Sequence, residues 1–365
     1  MLKLFEVSGY KTFDEKITLD FSDVRDYKFN TDCIYNGLIE KMIIYGKNAI
    51  GKTMFVNALM DIASHIWPQT TAQQESDIYY LNANGLSKYA EFKYIFQING
   101  DIVEYIYRKE DQDKLIYEEV SVNNELLFIY DRKDTNNNNI EGLKKVSPTL
   151  ILDFENVNSV LRYLITNTPL NPDDPLRKTM EFIGRMIPYE PYRIQKNFTP
   201  NTMFPEFSNE ETLKAFEALL RDAGINESLV VLKGVDGKER LYFNTPQPLP
   251  FFSVASSGTI ALFSFFMAKC VLERGNASLL IMDEFDAFYH FELAEHIVKL
   301  LQKTRNTQII FTSHNTNLLS NRFMRPDCLF VMTKNKLTSL PNATRRELRE
   351  GHNLEKLYMS GEFDE

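Results

Sequence analysis

Cysteine is scarce in this sequence, and the three that occur lie far apart along the chain. Cys33, Cys270 and Cys328 show no metal-ligand spacing and are odd in number. This pattern excludes a dense disulfide framework and a zinc-ribbon type of site. We therefore expect buried thiols in a reducing compartment.

Long apolar runs are also missing. The longest, residues 260–271, is shorter than a membrane span and contains Lys269. The N-terminal residues 1–7 lack the apolar core of a signal peptide, and neither an internal repeat nor a sustained heptad pattern occurs. We expect a soluble cytoplasmic protein with no membrane partner and no long coiled-coil arms.

Basic residues are outnumbered by acidic ones. Lysine and arginine total 41 against 50 aspartates and glutamates, a net charge of −9, so bulk charge does not favour nucleic-acid binding. A local basic groove stays open. The length of 365 residues and the 44% hydrophobic content suit one large or two modest domains with a buried core.

What the sequence does contain is a phosphate-binding loop between a short apolar strand ending at Tyr45 and a helix predicted over 54–66. Its glycines let backbone N–H groups turn toward a phosphate, and the following helix directs its positive end at the same anion. Lys52 would reach the β- and γ-phosphates, and the Thr53 hydroxyl would ligate Mg²⁺. The predicted binding residues are Gly46, Lys47, Asn48, Ala49, Ile50, Gly51, Lys52 and Thr53.

A second anion site is predicted at Ser256, Ser257 and Gly258, which precede an apolar helix. Small hydroxyl residues and glycine at a helix start leave N–H groups for an anion, although an ordinary N-cap has the same composition. Because one nucleotide rarely needs two such ends from one subunit, we expect this segment to close over the γ-phosphate held by another protomer.

Two carboxylates, Asp283 and Glu284, follow the apolar run 278–282. Paired acids at the end of a buried strand are costly unless they meet a cation or perform chemistry. We expect Asp283 to hold Mg²⁺ through water and Glu284 to act as general base on the attacking water; a solvated strand end is the alternative. Asp286 either crosses a dimer interface or caps a helix predicted over 287–301.

A further buried strand begins at Gln308 and ends in Thr312, Ser313, His314 and Asn315. His314 follows the acidic strand by one helix, the place where a side chain can sense a γ-phosphate by a hydrogen bond. A structural histidine with satisfied hydrogen bonds is the alternative.

The remaining pattern predicts an α/β protein in three parts. Residues 90–130 alternate as an antiparallel meander with turns at Asn99-Gly100 and Asn123-Asn124. Helices are predicted over 157–166, 176–187 and from a Ser208 N-cap, with Glu211 completing a capping box, to about Ala223; strands return at 228–233 and 240–243. The predicted domains are an N-terminal lobe 1–156, a helical insertion 157–225 and a C-terminal lobe 226–365.

Taken together, the loop at 46–53, the Ser256-Ser257-Gly258-Thr259 segment, the acids 283–286 and Thr312–Asn315 resemble an ABC-type ATPase of the SMC/RecF-like class. More narrowly, the chain is similar to the stand-alone ATP-binding proteins of bacterial abortive-infection and other anti-phage systems, relatives of the ATPase half of OLD-family nucleases. The resemblance implies an ATPase head with a mixed sheet core that dimerises, or assembles further, head to tail around ATP and Mg²⁺. It assigns Ser257 and Gly258 to a signature acting in trans, Glu284 to the base and His314 to the switch.

The segment 256–259 departs from the transporter signature, and no Q-loop glutamine is evident, since Gln97 lies in a predicted strand. About fifty residues follow His314, too few for the Toprim nuclease that OLD-family enzymes append. By analogy, we expect a separately encoded effector such as a Toprim-fold nuclease, with partner contacts in 157–225 and the C-terminal tail.

Three functions stay open at this point. The first is a defence ATPase whose ATP-dependent dimerisation senses infection or gates a toxic effector. The second is a RecF-type repair clamp that closes on duplex DNA, which leaves DNA or RNA as a partner. The third is a nucleotide-gated scaffold with little turnover.

Overall fold

The computed structural model describes residues 1–67, 79–154, 157–189, 209–234, 237–334 and 336–363. Its strands, in chain order, are β1 (Leu2–Ser8), β2 (Ile17–Asp20), β3 (Ile34–Tyr35), β4 (Leu38–Ile39), β5 (Lys41–Tyr45), β6 (Ala90–Ile98), β7 (Asp101–Lys109), β8 (Leu115–Val122), β9 (Glu125–Asp131), β10 (Met186–Tyr189), β11 (Leu229–Lys233), β12 (Glu239–Phe243), β13 (Leu249–Pro250), β14 (Leu279–Met282), β15 (Gln308–Ser313), β16 (Leu329–Thr333) and β17 (Lys336–Ser339). The helices are α1 (Lys52–Ile66), α2 (Glu141–Val146), α3 (Val160–Asn167), α4 (Pro175–Ile183), α5 (Glu210–Asp222), α6 (Phe251–Val254), α7 (Ser257–Glu273), α8 (Phe291–Gln302) and α9 (Leu354–Met359).

The core of the molecule is a six-stranded sheet in the order β10-β14-β15-β5-β16-β17. Its first five strands run parallel, and only β17 at the edge is antiparallel. Every residue of β5, β14 and β15 is buried, as expected for parallel strands covered on both faces. Because parallel strands end at the same edge, the loops that follow β5, β14 and β15 meet there.

A second six-stranded sheet, entirely antiparallel, has the order β2-β1-β6-β7-β8-β9. Along β6, buried and half-buried residues alternate, since one face of the sheet packs on the core. The turns at Asn99-Gly100 and Asn123-Asn124 have positive φ at both central residues, the geometry that two-residue hairpins favour. The predicted α/β class, mixed core sheet and antiparallel meander are confirmed.

Helix α1 lies against this meander sheet. Tyr94 on β6 donates its hydroxyl to the Ala58 carbonyl at 3.0 Å, and the rings of Phe5 and Phe55 meet edge to face at 5.6 Å. A buried ion pair joins Asp61 to Lys109 at 2.8 Å. The helix that begins at the phosphate loop is therefore held by both apolar contacts and a buried charge pair.

The side chain of Gln308 joins the two large sheets. Its Oε1 accepts from the Leu2 N–H at 2.7 Å, while its Nε2 donates to the Leu2 carbonyl at 2.9 Å and to the Ile39 carbonyl at 3.2 Å. Gln308 is buried. Two of these bonds satisfy backbone groups at the start of β1, and the third satisfies the carbonyl of Ile39 on β4.

The helix predicted over 176–187 is wrong in its last turn. Helix α4 ends at Ile183, and residues 186–189 form β10, the edge strand that pairs in parallel with β14. Pairing with the exposed edge of β14 overrides the local helical spacing.

Two helix starts also differ from the sequence prediction. The N-cap of α5 is Asn209, whose side chain accepts from the Glu211 N–H at 2.9 Å, while the predicted cap Ser208 lies outside the described residues. Helix α8 begins at Phe291 after His290, four residues later than predicted, because residues 283–289 form turns instead.

The core sheet takes strands from all three predicted domains, and the boundaries at 156 and 225 stay predictions. The small sheet β11-β12-β13 leads into α6 and α7. In the part of the chain that is described, no helix combines the length and apolar character needed to cross a membrane.

Candidate functional site

The loop between β5 and α1 has the backbone of a phosphate cradle. A Cβ at Gly46 would lie 2.8 Å from Ile50 Cγ2 and 3.2 Å from the Met332 carbonyl, so any other residue there would require both neighbours to shift. Gly51 (φ 114°) and Ala49 (φ 60°) are left-handed, and alternation of such residues with right-handed ones turns successive N–H groups to one side. Residues 47–49 are exposed, which leaves this concave loop accessible to an anion.

The N-terminus of α1 carries no side-chain cap. Gly51 occupies the cap position and makes no side-chain bond, so the first N–H groups of the helix are available to an anion. Lys52 is buried, and its Nζ donates to the carbonyls of Gly46 at 2.8 Å and Lys47 at 3.2 Å. Burial lowers the pKa of Lys52, and the negative charges of Glu284, Asp283 and Asp286 oppose this change.

The loop and the acidic strand meet through one hydrogen bond. Thr53 Oγ1 donates to Asp283 Oδ2 at 2.7 Å, although the two residues are 230 positions apart. Asp283 is fully buried. A hydroxyl and a carboxylate side by side offer the oxygen ligands that Mg²⁺ prefers, with room in its shell for waters and phosphate oxygens. The donor set therefore fits the predicted Mg²⁺.

Glu284 sits in a left-handed turn with φ 44°. Its N–H donates to Thr312 Oγ1 at 2.7 Å, and the same Thr312 hydroxyl donates to Asp283 Oδ1 at 2.6 Å. Both oxygens of Asp283 are thus engaged, whereas the carboxylate of Glu284 accepts no hydrogen bond from the described residues. A half-buried acid without a bonded partner is the form that a general base requires.

Asp286 is buried and does not cap α8, so the capping alternative is wrong. Its Oδ2 accepts from Ser313 Oγ at 2.7 Å, and its Oδ1 accepts no hydrogen bond within geometric limits from the described residues. Burial raises the pKa of Asp286, and the bond from Ser313 and the charge of His314 oppose that rise. Ser313 Oγ also accepts from the Asn315 N–H at 2.9 Å, which holds the exposed His314 in a tight turn beside Asp286.

Ser256 is the N-cap of α7. Its Oγ accepts from the Thr259 N–H at 3.1 Å and lies 2.8 Å from Thr259 Oγ1. Ser256 and Ser257 are exposed, and a Cβ at Gly258 would lie 3.1 Å from the Phe288 carbonyl. The geometry is that of an ordinary cap, with a helix tip that remains open to another molecule; its role in trans stays a prediction.

Two groups of residues at the site have roles that the sequence did not indicate. Thr12 and Phe13, in the turn after β1, stand against the loop: Thr12 Oγ1 and Phe13 Cε1 each lie 3.3 Å from the Cβ position of Gly51. Thr312 and Ser313 were noted only as part of a motif. Their signal is the pair of hydroxyls that ends a buried strand, where polar groups need partners.

Comparison with known proteins follows from this geometry. A family described as "AAA domain, putative AbiEii toxin, Type IV TA system" matches residues 41–320, a span that contains the phosphate loop, the two acids and His314. The chain belongs to this family. The match confirms the predicted resemblance to AAA proteins of the abortive-infection type and identifies an AAA domain that spans the site described above.

Solved structures similar to this AAA-family chain include SMC heads. The SMC head domain from Thermotoga maritima is 14% identical, with a TM-score of 0.44, over 93% of this chain and 98% of that one. An Smc head bound to the C-winged helix domain of ScpA has 14% identity and a TM-score of 0.47, over 93% and 97%. An Smc head with an extended coiled coil, bound to the C-terminal domain of ScpA derived from Pyrococcus furiosus, has 14% identity and a TM-score of 0.46, over 93% and 96%. A search of curated proteins gives no match.

Proposed function

We propose that this protein binds ATP with Mg²⁺ and hydrolyses it to ADP and phosphate. The observation that carries the proposal is the 2.7 Å bond between Thr53 and Asp283, because it brings the end of the phosphate loop to the strand end that bears Glu284. A phosphate cradle, a magnesium ligand pair and an unpaired acid in one place are the parts that phosphoryl transfer to water requires.

The chain's own residues have distinct tasks in this reaction. Lys52 leaves the carbonyls of Gly46 and Lys47 and donates to the β- and γ-phosphates, while N–H groups of the loop and of α1 bind the same oxygens. Glu284 orients the attacking water and accepts its proton. His314 hydrogen-bonds the γ-phosphate. Thr53 and Asp283 would hold Mg²⁺, which when bound would supply positive charge to the phosphate oxygens.

We also propose that two copies close on their nucleotides, each presenting Ser257 and Gly258 to the triphosphate of the other. The exposure of Ser256 and Ser257 supports this arrangement. Asp286, beside His314, would then face the same interface. A helix tip that binds phosphate only in the dimer makes assembly depend on ATP.

In the cell, we propose that this ATP-dependent assembly senses infection or gates a separately encoded toxic effector, such as a Toprim-fold nuclease. The family description, which names a toxin of a toxin–antitoxin system, supports a role of this class. The cytoplasm is the expected compartment.

The central experiment compares the wild-type chain with Glu284→Gln and Lys52→Ala by light scattering and phosphate release. Glu284→Gln should lose turnover by about 10²- to 10⁴-fold, the usual contribution of a general base, and accumulate as an ATP-bound dimer. Lys52→Ala should neither bind ATP tightly nor dimerise.

A wild-type mass unchanged by ATP would contradict the shared site. Tight ATP binding with no turnover in the wild type would favour the scaffold instead. ATP-dependent, salt-sensitive binding to a DNA duplex would favour the clamp.

The defence role is tested by phage plating on cells that carry the chain with its neighbouring genes. We expect protection by the wild type and none by Lys52→Ala. Equal plating on the two strains would rule out an ATP-dependent defence function.

A further inference from the structure

Two consecutive hydroxyls at the end of β15 bind the acidic segment that follows β14. Thr312 Oγ1 donates to Asp283 Oδ1 at 2.6 Å and accepts from the Glu284 N–H at 2.7 Å. One residue on, Ser313 Oγ donates to Asp286 Oδ2 at 2.7 Å and accepts from the Asn315 N–H at 2.9 Å. Both serve a carboxylate and a backbone N–H, and both are fully buried.

The bond from Thr312 acts at a residue with an unfavourable backbone conformation. Among the described residues, nine non-glycine residues have positive φ, and Glu284, at 44°, is one of the three that are not asparagine. A long side chain adopts this conformation where its surroundings hold it there. Its N–H has Thr312 Oγ1 as partner. The direction of the Glu284 side chain therefore depends on this hydroxyl.

The same hydroxyl also fixes the neighbouring acid. Asp283 receives Thr53 on Oδ2 and Thr312 on Oδ1, so its carboxylate plane is held from both sides. If Thr53 were to ligate a metal ion instead, Thr312 would be the partner that keeps Asp283 in place.

We propose that Thr312 is a positioning residue for ATP hydrolysis, which sets the orientation of Asp283 and Glu284 without touching the nucleotide. This inference rests on the proposed function. Thr312 is well suited to the task, because a buried β-branched side chain on a central strand has a restricted χ1 and its hydroxyl donates and accepts at once.

The test compares Thr312→Val, which keeps the shape and removes both bonds, with Thr312→Ser, which keeps the hydroxyl. The control is Thr307→Val, just before the start of β15. Thr307 is buried too, and its hydroxyl donates to the Ala277 carbonyl at 2.9 Å, at the end of the strand away from the site. The chemical change is thus the same in both valine variants.

In steady-state ATP hydrolysis, Thr312→Val should lower kcat by about 10- to 100-fold, the usual cost of a misplaced catalytic group, with KM for ATP within about threefold of the wild type. Thr312→Ser should retain a kcat within about threefold, and Thr307→Val should match the wild type. Loss of kcat in Thr312→Ser equal to that in Thr312→Val would overturn the proposal, as would a Thr312→Val enzyme with wild-type kcat.

Hydrogen exchange in the nucleotide-free protein provides a readout that does not need turnover. The amide of Glu284 should lose protection in Thr312→Val and keep it in Thr312→Ser. If the wild type shows no turnover that Glu284→Gln removes, the proposed function fails, and this exchange pattern decides by itself whether Thr312 positions the acids. Unchanged protection in Thr312→Val overturns the positioning role.

Discussion

Asp286 is a carboxylate that the fold keeps from water, with one oxygen bonded to Ser313 and the other accepting no hydrogen bond from the part of the chain that is described. Because burial raises its pKa above the ordinary 3.8, the charged form is disfavoured in the folded state. The folded state therefore binds the proton of Asp286 more tightly than the unfolded state does. The stability that this proton contributes is fully present below about pH 3.8 and is lost as the pH rises through the folded pKa. The protein thus retains this charge at the cost of stability, as functional sites commonly do.

We predict that Asp286→Asn stabilises the fold at pH 7.5 by about 1 kcal/mol, because the neutral amide does not carry the desolvation cost of the buried carboxylate, and one pKa unit corresponds to about 1.4 kcal/mol. The asparagine oxygen can still accept from Ser313. Urea unfolding at several pH values should show an advantage that shrinks as the pH falls and Asp286 becomes protonated. A variant less stable than the wild type at pH 7.5 would mean that the unpaired oxygen has a favourable partner.

His65 responds to pH in the opposite sense. It lies in the last turn of α1 and faces the meander sheet, with Nε2 2.7 Å from the Tyr105 hydroxyl, and burial lowers its pKa well below the ordinary 6.5. The unfolded chain therefore binds a proton first, and stability present above pH 6.5 is lost as the pH falls. His65→Gln should flatten the decline of unfolding free energy between pH 6.5 and 5 in urea titrations; an unchanged slope would contradict it.

At the scale of elements, α1 is fixed to the meander sheet by a buried charge network. Asp61 accepts from Lys109 Nζ at 2.8 Å, Tyr107 OH at 2.7 Å and Tyr80 OH at 2.9 Å. Removing one member of a buried pair leaves the other charge without compensation, which is more costly than the pair itself is favourable. This network connects α1, which begins at Lys52, to the meander sheet. The strand that precedes Asp283 and Glu284 belongs to the other large sheet.

We predict that Asp61→Ala destabilises the protein by about 3–5 kcal/mol, the usual cost of breaking a buried ion pair. The double variant Asp61→Ala, Lys109→Met should recover part of that loss, because no buried charge is then left unpaired. Both are measured by urea unfolding in a double-mutant cycle. A double variant no more stable than Asp61→Ala would place the loss in packing or in the tyrosine hydroxyls.

At the scale of the whole molecule, two exposed apolar residues lie close to the Ser256–Gly258 segment, one of them in sequence and the other through its backbone carbonyl. Val254 is 50% exposed and Phe288 is 37% exposed, and the Phe288 carbonyl approaches Gly258. Exposed apolar side chains grouped beside a proposed binding tip are typical of an interaction surface. Under the proposed function, a second copy covers them when ATP is bound.

We predict that Val254→Asp weakens ATP-dependent dimerisation by roughly tenfold or more, equivalent to about 1.4 kcal/mol, while one chain still binds ATP. The matched control is Ile151→Asp, since Ile151 is 70% exposed and belongs to a different segment. Sedimentation of both variants with Glu284→Gln in the background measures the effect. Equal dimerisation of the two would place the interface elsewhere.

Local signals alone indicated the loop 46–53 and its glycines, because spacing in a phosphate loop reflects steric limits on a few adjacent residues. The same holds for the meander turns and for the burial of β5, β14 and β15, where continuous apolar runs require cover on both faces. The sequence also indicates that Asp283 and Glu284 belong to the site, because burying a charge at the end of an apolar strand is costly unless it has a partner.

The last turn of the helix predicted over 176–187 could not be foreseen, as β10 exists only where β14 offers it an edge. The hydrogen-bond partner of Asp286 could not be foreseen either, because it depends on whether Ser313 or the N-terminus of a helix lies within hydrogen-bond distance in the folded chain. The amino-acid sequence determined which segments could bind phosphate and carry acid, because these properties belong to neighbouring residues. Tertiary structure decided which hydroxyl meets which carboxylate, because Thr53, Asp283 and Thr312 meet only when three parallel strands end at one edge of the sheet.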